Sequence, residues 1–69
     1  MTPDAARVLR VLRETGPAKL TVVGGIVGPK GCYVESIVQR VVGELFILGV
    51  VEWRGAKRGR MLAARTVRR

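Results

Sequence analysis

Between Gly31 and Gly49 the chain carries one long helical period. Val34, Ile37, Val38, Val41, Val42, Leu45 and Leu48 recur at three- and four-residue spacing, which puts them on one wide face of a helix with Tyr33, Ser36, Gln39, Arg40 and Gly43 opposite. The spacing predicts a helix over 32–48, ended by Gly49 as a left-handed stop. So long an apolar stripe has to be covered by other elements, and 69 residues can supply them only as one small domain, with a basic tail at about 66–69. The last turn of the stripe, Leu45-Phe46-Ile47-Leu48, is apolar all round. Either it is buried deep in the core or a second copy of the chain covers it.

The covering elements are legible on both sides. Thr2 and Asp4 flank Pro3 as N-cap candidates, and Ala5, Val8, Leu9 and Leu12 follow at helical spacing until Gly16-Pro17. This predicts a first helix over 4–14, with Arg7, Arg10 and Arg13 as a solvated outer stripe. Lys19, Leu20 and Thr21 suit a short strand. Thr21 equally suits the cap of a second helix over 22–27, weakened by Gly24 and Gly25 at about 1 kcal/mol per glycine. Gly28-Pro29-Lys30-Gly31 reads as a turn. Downstream, residues 50–54 are rich in β-formers, 55–59 carry turn glycines and 60–66 can return as a second strand, which together make a hairpin with a basic tip. Trp53, at the base of that hairpin, is expected to pack it onto the third helix. The expected fold is α+β: three helices and a C-terminal two-stranded hairpin.

Charge divides the chain in two. Residues 1–53 hold six cations and five anions, whereas 54–69 hold seven cations (Arg54, Lys57, Arg58, Arg60, Arg65, Arg68 and Arg69) and no anion. The net +8 is therefore concentrated at one end, as a polyanion-binding element requires, because each neutralised phosphate releases condensed counterions. At 48% apolar residues and a mean hydropathy of +0.21 the chain is too hydrophobic for a disordered basic tail. Its longest uncharged stretches are far too short to span a bilayer, and its basic segment lacks the apolar face of an interfacial helix, so no membrane partner is expected.

One cysteine, Cys32, and no histidine exclude an internal disulfide and a Cys/His metal site within one chain. Self-association, as a homodimer, or a bound partner is the stabiliser left to so small a core. A lone cysteine without a secretory segment points to a reducing, cytoplasmic setting, and the near absence of Asn, Gln and Ser to a thermophilic source. Catalysis is not expected. There is no imidazole base, Ser36 and Cys32 have no activating neighbour, Glu35 and Glu44 are too far apart for a paired-carboxylate site, and no Gly-Lys dipeptide marks a phosphate-binding loop. No cofactor is implied.

The order of these elements, together with Leu48-Gly49-Val50-Val51-Glu52 at the exit of the long helix, Gly16-Pro17, and Leu20-Thr21 opening the second helix, resembles the winged helix-turn-helix family, in its small archaeal or thermophilic form, over about residues 5–66. The resemblance implies a double-stranded DNA-binding protein, a transcriptional regulator or chromatin-associated factor of the nucleoid. Its third helix would enter the major groove with Lys30, Tyr33, Ser36, Gln39 and Arg40, and its wing residues Arg54, Lys57, Arg58 and Arg60 would follow phosphates or the minor groove. Arg40 suits guanine, Gln39 adenine and Ser36 either base or phosphate, while Glu35 is expected off the interface because it would repel phosphate. With so few base readers, sequence selectivity should be modest. Residues 24–31, followed by Val34 and Ile37, are also similar to the GxxG phrase of KH domains, which would imply a single-stranded RNA or ribosomal partner. A third alternative is a winged-helix protein-protein adaptor, to which the apolar 45–48 turn would belong.

Overall fold

A computed structural model describes residues 1–55 and 59–65. Three helices, α1 (Pro3–Thr15), α2 (Leu20–Val27) and α3 (Glu35–Ile47), are followed by an antiparallel hairpin of β1 (Val51–Arg54) and β2 (Met61–Ala64). This is the winged-helix arrangement, in the α+β class.

Local chemistry accounts for α1. Thr2 is extended and its hydroxyl accepts the Ala5 N–H at 3.3 Å, so Thr2, not Asp4, is the N-cap. Pro3 occupies the first helical position, where its missing N–H costs nothing. The helix ends at Gly16 (φ 92°), whose N–H donates to the Leu12 carbonyl at 3.0 Å. One further bond ties this helix to α3: the Thr2 N–H donates to Glu44 Oε2 at 2.8 Å.

Three expectations need correction. The strand expected at 19–21 is one residue pair, Ala18 with Leu62, joined by N–H···O bonds of 2.9 and 2.8 Å. That pairing holds the backbone extended through Lys19, which becomes the N-cap of α2, so Thr21 lies inside the first turn and caps nothing. The third helix begins at Glu35, not at residue 32. Lys30 (φ 53°) and Gly31 (φ 75°) reverse the chain in a single 3₁₀ turn, and Cys32 and Val34 are extended. The Val34 carbonyl then accepts from Ile37 and Val38 to start the helix. Finally, the 45–48 turn is not buried all round: Leu45 is fully buried, but Ile47 is 88% exposed and Leu48 48%. The expected stop does occur at Gly49 (φ 71°), where the N–H of Val50 reaches Leu45 O and that of Gly49 reaches Phe46 O.

The core is wholly aliphatic. Ala5, Val8, Leu9 and Leu12 of α1 meet Val38, Val41, Val42 and Leu45 of α3, with Ala18, Val23, Val51 and Leu62 completing it. Leu62 gives both backbone groups to Ala18, so its pairing with Trp53 across the hairpin is the non-hydrogen-bonded kind that brings side chains close. The hairpin is thereby fastened on one edge to the α1–α2 connection, and its strands are shorter than the 50–54 and 60–66 expected. No helix among the described residues is long and apolar enough to cross a membrane.

Candidate nucleic-acid interface

Since α3 buries Val38, Val41, Val42 and Leu45, helical geometry turns Ser36, Gln39 and Arg40 outward, and all three are exposed. Arg40 makes no ion pair among the described residues. Gln39 Nε2 donates to Glu35 Oε1 at 3.3 Å. Glu35 therefore sits one turn before Gln39 on the same side of the helix. The bond uses one of the two amide N–H groups of Gln39 and leaves its carbonyl and second N–H free, enough for a two-point contact with adenine.

Tyr33 lies outside the helix to which periodicity assigns it, and Lys30 lies before that helix. Lys30 is exposed in the turn before it, in the left-handed region that non-glycine residues seldom occupy. Tyr33 precedes the first helical turn, and its ring lies against the α2 backbone at Gly24, where a β-carbon would overlap the ring. On either side of this contact Cys32 and Val34 are extended, and the helix starts only at Glu35. Gly28 is as confined, since a β-carbon there would overlap the Cys32 carbonyl and come within 2.7 Å of Gly24 O. The Gly28–Gly31 phrase thus makes a tight corner between two helices. Beside it, among the described residues, stand a two-stranded hairpin and one bridge, not the three-stranded sheet implied by the KH similarity.

On the hairpin, Arg54 Nη2 is 3.7 Å from Glu52 Oε1, both side chains about half exposed, so this cation leans back toward an acid of its own strand. The Arg60 guanidinium lies 4.3 Å from the centroid of the Trp53 ring. Such a contact uses the guanidinium face and leaves its N–H edges for a phosphate. Trp53 in turn packs on Phe46 of α3, with centroids 5.4 Å apart and planes tilted by 36°, as expected of a hairpin anchor. Lys57 and Arg58 lie outside the described residues.

Sequence patterning gives no sign of a groove of about 320 Å³ between α3, the start of α2 and β1, lined by Leu20, Tyr33, Glu35, Gln39, Phe46 and Trp53 among others. Trp53 is expected to pack on the third helix, but the aromatic residues at 33, 46 and 53 carry no common period, so nothing in the sequence says that Tyr33 joins them around one groove. On the opposite flank, Arg7, Arg10 and Arg13 form the exposed stripe expected of α1, and Arg10 Nε pairs with Glu14 Oε1 at 3.0 Å. A scan against protein-family models and searches of curated proteins and of solved structures find no match to this chain.

Proposed function

We propose that this protein binds double-stranded DNA through the outward face of α3 and the cationic hairpin, as a small regulator or chromatin-associated factor of modest sequence selectivity. The observation that carries the reading is a juxtaposition. Ser36, Gln39 and Arg40 stand exposed on a helix whose other face is sunk in the core, and the hairpin that follows opens the segment of seven cations and no anion. Phosphate contacts from such a segment supply affinity and position, and the two or three helix side chains supply what base discrimination there is. Selection of bound duplexes from a random pool, with the winners titrated at several salt concentrations, tests it. The expected result is salt-sensitive duplex binding with a short, weak consensus. Absence of duplex binding at low salt overturns it.

A homodimer fits the same reading. At the end of α3, Ile47 is 88% exposed and Leu48 48%, an apolar surface among the described residues. A two-fold pair joined there would present two α3 helices to successive half-sites. Sedimentation equilibrium is expected to give a dimer that Ile47→Asp dissociates. A wild-type monomer at high concentration overturns it.

A further inference from the structure

The chain has one Tyr, one Phe and one Trp, and all three line the groove between α3 and the hairpin. The fully buried core is Ala, Val and Leu; Phe46 and Trp53 pack against it from the groove side and are only partly buried there. Tyr33 turns one side of its ring to Gly24 and keeps 47% of its surface exposed, while Phe46 and Trp53 are half-buried. At the rim stand a side-chain amide and a carboxylate, Gln39 and Glu35, joined by one hydrogen bond and so retaining free donor and acceptor positions. The Arg60 guanidinium lies over Trp53, and the cationic segment begins at Arg54.

Flat apolar walls, an amide and a carboxylate at the edge, and cations alongside fit a ligand that is planar, aromatic, edged with donors and acceptors, and tethered to anions. An apolar peptide would use the rings and leave the cations unanswered, whereas an inorganic phosphate would do the reverse. We infer that this groove receives one unpaired nucleobase of a nucleic-acid strand whose phosphates run along the hairpin. The base stacks on Tyr33, or on the Arg60 guanidinium above Trp53. Gln39 and Glu35 meet its hydrogen-bonding edge. This deepens the nucleic-acid reading above and rests on it for the polyanion, but it assigns a site that a fully paired duplex leaves empty. Frayed ends, overhangs and mismatches become the preferred targets.

Trp53 is the only tryptophan, so its emission reports on the groove and on the Arg60 guanidinium beside it. The test titrates the whole chain at low salt with oligodeoxythymidylate, oligouridylate, a blunt duplex, the same duplex with an overhang, and inorganic polyphosphate. Binding of labelled duplex is followed separately by anisotropy. Saturable quenching by the single strands and the overhang, larger than any change that polyphosphate or the blunt duplex causes through Arg60 beside Trp53, is the expected result, and the two oligonucleotides tell a DNA source from an RNA source. The second arm is Gly43→Leu. Position 43 lines the groove, and a β-carbon there meets nothing within 4 Å, so the new side chain fills the groove and leaves the fold intact. Single-strand affinity should fall about tenfold or more, the order of a single base–aromatic stack, while thermal unfolding is unchanged or shifts upward. Unmoved Trp53 emission, equal quenching by polyphosphate, or wild-type single-strand affinity in Gly43→Leu each overturn the inference. Duplex binding by anisotropy with Trp53 silent toward the single strands and the overhang defeats this site and leaves the duplex reading standing. Base binding without duplex binding does the opposite.

Discussion

The ring of Tyr33 rests on the backbone of Gly24, so close that a β-carbon at position 24 would overlap Cδ2 and come within 3.0 Å of Cγ. Two features of the sequence that look unrelated, a glycine inside a helix and a tyrosine ahead of the next one, are thus a single contact. It lies just ahead of the start of α3 and makes one wall of the groove.

That contact makes the glycines separable by experiment. Alanine gains about 1 kcal/mol over glycine inside a helix. At Gly24 the clash outweighs this, and Gly24→Ala should destabilise by about 1–2 kcal/mol. At Gly25, where the nearest atom to a β-carbon is the Gly31 carbonyl at 3.8 Å, and at Gly43, where nothing lies within 4 Å, the same change should stabilise by about 0.5–1 kcal/mol. Denaturant midpoints of the three variants check the sign at each position.

Glu44 is expected to matter for α1 although it belongs to α3. Its carboxylate takes the Thr2 N–H at 2.8 Å and lies 3.3 Å from the Thr2 hydroxyl, which itself caps the helix. Glu44→Ala leaves that N–H to water and loosens the capping residue, at a cost of about 1 kcal/mol. Amide exchange in the first turn of α1 should quicken more than in α3. Equal protection in both helices would refute the tether.

Leu62 is the most exacting core position. It is fully buried, bridges to Ala18 on one edge and pairs with Trp53 on the other. Truncating a buried leucine costs about 2–5 kcal/mol, whereas a domain of this size commands about 3–5 kcal/mol in all. Leu62→Ala should therefore be largely unfolded at room temperature. Circular dichroism against temperature gives the answer.

Helix and hairpin should separate in binding. Neutralising Lys57, Arg58 and Arg60 should weaken all duplexes alike and flatten the slope of log K on log salt by about 0.9 for each phosphate left without its cation. Arg40→Ala should reduce discrimination at one base pair by about 1–3 kcal/mol. Because Arg54 leans toward Glu52, Glu52→Gln should release that cation and tighten duplex binding by up to about fivefold at low salt. Fluorescence anisotropy across a salt series measures all three.

Much of the fold is encoded locally. The three helices, the stop at Gly49, the hairpin and its anchoring tryptophan follow from spacing and from residues whose backbone preferences act over a few positions, and so does the exposure of Ser36, Gln39 and Arg40. The apolar stripe, read alone, runs the helix back to residue 32, because periodicity registers faces and not the packing that interrupts them. Tyr33 is accordingly assigned to a helix that starts after it. Charge alone sets Glu35 aside, although its neighbour Gln39 holds it on the same side.

By itself, then, the sequence determined the order and kind of the elements, the aliphatic make-up of the core and the concentration of charge after Arg54, since each depends on composition and on short-range geometry. Tertiary structure decided the rest. It set the Ala18 pairing on Leu62, the late start of α3, the tether from Glu44 to Thr2 and the meeting of Tyr33, Phe46 and Trp53. Each joins residues far apart in the chain or on different elements, and contacts of that kind arise only when the helices and the hairpin close on one core.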